Sequence, residues 1–134
     1  MNTKDLGDLA ELSAAKKLIS IGNSVSFHFG DNERYDLILD GKNGLEKVQV
    51  RKATRREGYL VFKCYSNHRA DGKIKRTSFD EKEIDCFLVW YREEDEIYKI
   101  PIQDAPKTEM RLRIDETRNS QEQNVNWASD YKIE

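Results

Sequence analysis

The run Cys86-Phe87-Leu88-Val89-Trp90-Tyr91 is the feature that most constrains the fold of this chain. Six consecutive apolar or aromatic residues are too few for a core helix, and most of them are strong β-formers. A strand without a polar face must be covered on both sides. We therefore expect this run to be the central strand of an enclosed sheet, in a chain of 134 residues that has room for one core.

One helix and several further strands are predicted around this run. The helix spans Thr3 to about Ile21, where apolar residues recur every three or four positions: Leu6, Ala10, Ala14, Leu18 and Ile21. A short helix is predicted at 80–83. Strands are predicted at 25–29, 34–40, 45–53, 59–65 and 97–102. This order predicts an α/β fold with a mixed sheet.

The predicted strands 34–40 and 45–53 are joined by the glycine turn at 41–44 and should pair as a hairpin. This pairing brings Asp36 close to Gln49. A carboxylate, an amide oxygen and the Val50 carbonyl are hard ligands that suit Mg²⁺ or Mn²⁺. The alternatives are that Asp36 only accepts a hydrogen bond from a backbone amide and that Gln49 is an ordinary exposed strand residue.

Two more charged residues belong to the same hypothesis. Glu11, on the predicted helix, is expected to bind a second metal or to orient a metal-bound water. Arg51 shares a strand face with Gln49 and is expected to neutralise charge that builds on a phosphate. The four residues predict metal-assisted phosphodiester cleavage, with this catalytic set: Glu11, Asp36, Gln49 and Arg51.

The charge of the chain is strongly asymmetric. From Arg51 to Arg76 there are nine basic and two acidic residues, a net +7, whereas the whole chain is −2 and the remainder is therefore −9. A basic block in an acidic protein indicates a polyanion site, and DNA is the predicted partner. The alternative is a solvated loop whose cations pair with acids elsewhere.

The polar segment 66–79 contains the turn pair Asp71-Gly72 and is predicted as a long loop or a projecting hairpin. A two-stranded ribbon fits the major groove, where Arg, Lys and Asn can bond base edges. The predicted base-reading residues are Asn67, His68, Arg69, Lys73, Lys75 and Arg76. The cations nearer the metal hairpin are expected to hold phosphates: Lys52, Arg55 and Arg56.

Other classes of protein are disfavoured. Cys64 and Cys86 lie in apolar strands without a Cys-x-x-Cys pair, which predicts buried thiols in a reducing compartment and no structural zinc. No apolar run approaches the roughly 18 residues of a membrane span, and the N-terminus lacks a signal-peptide pattern. We expect a soluble cytoplasmic protein with no membrane partner.

Three segments resemble the core of the PD-(D/E)XK nuclease superfamily: residues 2–11, which end in Leu9-Ala10-Glu11, residues 30–37, which contain Tyr35-Asp36-Leu37, and Val48-Gln49-Val50-Arg51. The resemblance is to the prokaryotic branch in which Gln replaces the acid of the D/E-x-K half-motif. Within it, the chain is similar to homing endonucleases encoded by group I introns in cyanobacterial transfer-RNA genes. The resemblance covers about residues 1–106. Residues 107–134 are left as an extension that makes subunit contacts or is partly disordered.

The resemblance implies a restriction-endonuclease-like fold, with a mixed central β-sheet flanked by helices and a projecting basic hairpin. It also implies a magnesium-dependent, site-specific endonuclease that cuts double-stranded DNA, promotes intron mobility and works as a homotetramer. Glu11 would match the helix acid, Asp36 the central metal ligand and Gln49 the second ligand. The metal would be held by Glu11, Asp36, Gln49 and Val50.

At Arg51 the chain departs from the family, which has lysine there. Arginine keeps the charge but is effectively never deprotonated, so it cannot activate water. Lys52 lies on the opposite side of the strand. The chain is therefore either a weakened or inactive variant or a natural member that tolerates arginine. The rival functions are a Holliday-junction resolvase or restriction-type nuclease, and a DNA-binding protein with a decayed active site.

Overall fold

The computed structural model describes residues 1–115 and 125–133. In this part of the chain, one helix, α1, precedes ten strands, β1 to β10. In chain order they are α1 (Thr3–Ser20), β1 (Ser24–Ser26), β2 (Leu37–Gly41), β3 (Gly44–Lys52), β4 (Thr54–Arg56), β5 (Tyr59–Lys63), β6 (Tyr65–Ala70), β7 (Lys73–Ser78), β8 (Cys86–Tyr91), β9 (Glu96–Pro101) and β10 (Glu109–Arg113). Short 3-10 turns lie at Arg92–Glu94, Ile102–Asp104 and Ala128–Asp130.

The apolar run 86–91 forms β8, and all six of its residues are buried. It lies inside a five-stranded sheet of order β1-β2-β3-β8-β9, in which β3 and β8 are parallel and the other pairs are antiparallel. Its side chains alternate between two hydrophobic clusters, one on each face of the sheet. The prediction of a central strand covered on both sides is confirmed.

Different layers cover the two faces of this sheet. On one face α1 packs through Ala10, Ala14 and Leu18 against residues of β2, β3, β8 and β9. The other face is covered by a three-stranded sheet of order β10-β5-β4, whose buried side chains include Leu60 and Phe62. The predicted α/β class with a mixed sheet is confirmed. Among the described residues a single helix flanks the central sheet, and the apolar side chains of β5 make a second sheet the cover of the other face.

Three predicted elements are shorter in the structure. β1 ends at Ser26, and Phe27 and Phe29 beyond it are exposed, because β1 lies at the sheet edge and pairs only with β2. β2 begins three residues later than predicted. The helix predicted at 80–83 is a single turn, closed by the bond from the Ile84 N–H to the Asp80 carbonyl.

The C-terminal residues that the structure describes pack on the rest of the chain. β10 pairs with β5, with Met110 opposite Phe62. Further along, Ala128 is buried in the same cluster, and the Tyr131 hydroxyl donates to Asp104 Oδ2 at 3.0 Å. The predicted division at residue 106 therefore separates β10 from the sheet that it completes. The predicted subunit contacts of 107–134 stay a prediction.

Both cysteines are buried thiols, as expected, and burial raises the pKa of each to about 12. Within residues 1–115 and 125–133, no helix combines the length and the apolar character needed to cross a membrane.

Candidate active site

The β2–β3 hairpin places Asp36 beside Gln49, as predicted. Leu37 pairs with Val48, so Asp36, one residue before β2, lies opposite Gln49. The Asp36 N–H donates to the Val48 carbonyl at 2.7 Å, and Asp36 Oδ2 accepts from the Val50 N–H at 2.7 Å. The alternative in which Asp36 bonds a backbone amide is therefore also true, and it fixes the carboxylate at the mouth of the hairpin.

Gln49 is a buried polar residue, only 8% exposed, whereas its neighbours Val48 and Val50 belong to the apolar cluster beneath α1. By alternation the Gln49 side chain lies on the other face of β3. Among the described residues, its amide has no hydrogen-bond partner. The amide is not among the fully enclosed polar atoms that lack a partner, so water reaches it and a ligand at its oxygen would replace that water.

Glu11 and Asp36 repel each other, and both have a raised pKa. Burial, followed by repulsion from Asp36 and Asp8, raises the pKa of Glu11 from 4.5 to about 7, while His28 acts in the opposite direction. Burial also raises the pKa of Asp36, against the opposing effects of the Val50 N–H, Arg51 and His28. A cation between two such carboxyls would favour their ionised forms.

Arg51 points its guanidinium at backbone carbonyls. It donates from Nε to the Lys63 carbonyl at 3.0 Å, from Nη2 to the Tyr65 carbonyl at 3.0 Å and from Nη1 to the Val50 carbonyl at 3.3 Å. Burial lowers its pKa, and Asp36 opposes that shift. Arg51 thus ties β3 to the junction of β5 and β6 and shares the Val50 carbonyl that was predicted as a metal ligand.

His28 is a site residue that the sequence analysis did not select. Its Nδ1 is buried and, among the described residues, lacks a hydrogen-bond partner. Its ring packs edge-on against Tyr35 at 5.3 Å between centroids, and its charge affects both Glu11 and Asp36. The only signal in the sequence was its polar position in the alternating segment 25–29.

The donor set fits a hard divalent cation. No group of three or more Asp, Glu, His or Cys side chains suited to a metal occurs in the described ranges. The available donors are instead two carboxylates, one amide oxygen and one carbonyl: Glu11, Asp36, Gln49 and Val50. Mg²⁺ is commonly held by one or two carboxylates with water and phosphate oxygens in its other positions, so this set fits it.

The predicted hairpin is formed by β6 and β7, which pair from Tyr65–Ser78 to Ala70–Lys73. Its root is held by Arg34, which donates to the Ser66 hydroxyl at 2.7 Å and to both carboxylate oxygens of Glu83 at 2.9 and 2.8 Å. All six predicted base-reading residues lie on this hairpin and are exposed: Asn67, His68, Arg69, Lys73, Lys75 and Arg76.

A basic groove of about 430 Å³ runs from Arg51 to the root of this hairpin. Lys52, Arg56 and Lys63 supply its positive charge, and Asn67 lines its end. Lys63 was not among the predicted DNA-binding residues. Arg56 also lies 3.8 Å from Glu109 Oε2, an exposed pair of little energetic weight.

Arg55 is not among the residues that line this groove, and its expected contact with phosphate stays a prediction. It alternates with Thr54 and Arg56 on β4, so its side chain lies on the other face of the strand. There it contacts the Tyr91 hydroxyl at 3.4 Å and Asp115 Oδ2 at 3.2 Å. Arg55 is therefore paired with an acid, in an ion pair whose side chains are 47% and 54% exposed.

Comparisons with known proteins bear on the family and the fold. The family described as PD-(D/E)XK endonuclease matches over residues 1–134. A solved structure described as a bacterial homing endonuclease, I-Ssp6803I, is similar with a TM-score of 0.80 and 25% sequence identity, over 98% of this chain and 89% of the other. A search of curated protein sequences gave no match. These findings confirm the predicted resemblance and the restriction-endonuclease-like fold.

Proposed function

This chain belongs to the PD-(D/E)XK endonuclease family, and from that premise we propose that it is a site-specific endonuclease that hydrolyses phosphodiester bonds of double-stranded DNA with Mg²⁺ or Mn²⁺. The observation that carries the proposal is the position of Asp36 opposite Gln49 at the mouth of the β2–β3 hairpin, and the repulsion between Glu11 and Asp36 supports adding Glu11 to the site. The basic groove and the exposed hairpin beside it offer the charge and shape that duplex DNA requires.

The residues of the site have distinct roles in this proposal. Asp36, Gln49 and the Val50 carbonyl would hold the cation, which supplies a Lewis acid and a water of lowered pKa. The Val50 N–H fixes the orientation of Asp36. Glu11, whose raised pKa a bound cation would lower, would bind a second metal or orient a metal-bound water.

Arg51 favours a second candidate, a DNA-binding protein whose active site has decayed. Its guanidinium is bonded to three carbonyls, so it offers less to a phosphate than a lysine ammonium would. Since arginine also cannot lose its proton, the arginine at position 51 would not activate water. The two candidates share DNA binding and differ only in cleavage.

Cleavage of a plasmid library with randomised inserts tests the proposal, with cut ends read by sequencing in Mg²⁺ and in Mn²⁺. The wild-type chain is expected to cut a defined site, and Asp36→Ala is expected to bind that site without cutting. If neither wild type nor Arg51→Lys cuts any duplex, the binding-only candidate is correct. Preferential cutting of a four-way junction would favour a resolvase.

We further propose an intron-homing role in the cytoplasm and a homotetrameric assembly. The homing role is supported by the description of the structural neighbour as a homing endonuclease. A small chain that reads a long duplex site needs several copies, and paired subunits would place two active sites on opposite strands. Light scattering of the protein alone and with its selected duplex would give the number of subunits.

A further inference from the structure

The hairpin of β6 and β7 has two chemically different faces. Asn67 pairs with Arg76 and Arg69 pairs with Ile74, so these four side chains share one face. We call this the groove face. The opposite face carries the other polar side chains of the two strands: Ser66, His68, Lys73, Lys75 and Thr77.

The two faces have different surroundings at the root of the hairpin. On the groove face, Asn67 lines the basic groove together with Lys52, and the guanidinium of Arg76 stacks 4.7 Å above the ring of Tyr65. Ser66, on the opposite face, also lines the groove at the hairpin root, but its hydroxyl is held by Arg34. DNA that follows the basic groove therefore meets the groove face of the hairpin first.

Ile74 is the one residue of the groove face that has no hydrogen-bonding side chain, and it is 66% exposed. A single exposed isoleucine needs no explanation by itself. The position of Ile74 does need an explanation, because the other three residues of the groove face carry amide and guanidinium donors that match adenine and guanine edges. The apolar group of the major groove that an isoleucine could contact is the C5-methyl of thymine.

We propose that Ile74 is a specificity-determining residue that packs against a thymine methyl group in the major groove. Arg69 and Arg76 would bond base edges on either side of it, and Lys73 and Lys75 on the opposite face would contact phosphates. The inference rests on the proposed DNA-binding function and adds to it the identity of one base. Loss of one methyl from such a contact should weaken binding about fourfold.

The test replaces thymine by deoxyuridine, which lacks only that methyl. A preferred duplex is first selected from a randomised pool with the full-length protein in EDTA, so that no DNA is cut. Each thymine is then replaced singly, and the Kd is measured by fluorescence anisotropy for wild type, Ile74→Ala and Lys75→Ala. Light scattering records the number of subunits for each variant.

We expect at least one replacement to weaken wild-type binding about fourfold and to leave the affinity of Ile74→Ala unchanged. Lys75→Ala should bind every duplex more weakly, and the same replacement should still weaken its binding by the same factor as in wild type. The proposal is overturned if no thymine replacement changes the Kd of wild type, or if the replacement weakens binding of Ile74→Ala as much as binding of wild type. It is also overturned if Ile74→Ala changes the number of subunits. If wild type selects no sequence and binds no duplex even at low salt, the proposed function fails as well.

Discussion

Oδ2 of Asp36 accepts a 2.7 Å hydrogen bond from the backbone N–H of Val50, across the mouth of the β2–β3 hairpin. The bond sets the orientation of the carboxylate and favours its ionised form. Oδ1 keeps no partner among the described residues. One oxygen of Asp36 therefore holds the hairpin together, and the other is left for a ligand.

Metal binding should depend on this carboxylate. Added Mg²⁺ or Mn²⁺ is expected to raise the Tm of the wild-type protein, since a ligand that binds only the folded state stabilises it. Asp36→Asn should abolish the increase, because an amide offers the cation no charge. Asp40→Asn changes an exposed residue of β2, and the metal should raise the Tm of this variant as it does that of wild type. Equal increases in both variants, measured by scanning fluorimetry, would show that the cation binds elsewhere.

Glu11 should make the stability of the metal-free protein depend on pH. Its pKa is about 7 in the folded state and 4.5 ordinarily, so between these values the folded state binds the proton more tightly than the unfolded chain. The contribution of Glu11 to the free energy of unfolding is therefore most favourable below pH 4.5. It falls as the pH rises from 4.5 to 7 and does not change further above pH 7.

Glu11→Gln should remove this dependence. In EDTA, urea unfolding is expected to show the variant more stable than wild type at pH 8, with a smaller difference at pH 5. Glu81→Gln, an exposed change, should follow wild type at both values. A constant difference between Glu11→Gln and wild type would contradict the raised pKa.

Arg51→Lys should exchange stability for activity. The guanidinium donates to three backbone carbonyls, and lysine cannot reach all of them, so we expect a loss of about 1–3 kcal/mol in the free energy of unfolding. Cleavage of the selected site should increase, because lysine presents a compact ammonium that can lose a proton. Arg51→Met controls for the lost bonds and should be destabilised without any gain in cleavage.

The groove cations should set the salt dependence of DNA binding. Lys52→Ala and Lys63→Ala are each expected to lower the slope of log K against log salt by about 1, for every duplex alike. Arg55→Ala removes a cation from the other face of β4 and should leave the slope unchanged. An equal change in all three variants would mean that charge alone, and not the groove, controls binding.

Arg34 should control the mobility of the hairpin. Its pair with Glu83 is about 28–29% exposed, and Arg34→Met leaves that carboxylate without its partner, at a cost of about 1–3 kcal/mol. Amide hydrogen exchange in β6 and β7 is expected to accelerate more than in β8. Unchanged exchange in the hairpin would place its anchor elsewhere, and Glu81→Gln serves as the neutral control.

The parts of the fold that the sequence predicted are those encoded locally. The run 86–91 is apolar on both faces, and the β2–β3 pairing follows from its glycine turn, so β8 and the meeting of Asp36 with Gln49 could be foreseen. β10 could not, because it presents only Met110 and Leu112 to the core and its partner β5 lies far back in the chain.

The same distinction explains what was missed in the site. The face of Arg51 followed from strand alternation, but its bonds to the Lys63 and Tyr65 carbonyls depend on how β5 and β6 return to β3. The isolated Nδ1 of His28 is likewise a product of tertiary packing. His28 had no local pattern that separated it from an ordinary strand residue, and nothing local to Arg51 indicated its contacts with these carbonyls.

The two ends of the hairpin meet, since Tyr65 pairs directly with Ser78. The main chain therefore enters and leaves this segment at a single place, and the stretch between Asn67 and Arg76 can be exchanged or lengthened while the Arg34 anchor at Ser66 and Thr77 is kept. If the hairpin reads the target as proposed, such a nuclease can acquire a new target by exchange of this one segment, while β2 and β3 stay unchanged. Its recognition and its chemistry would then be free to evolve at different rates.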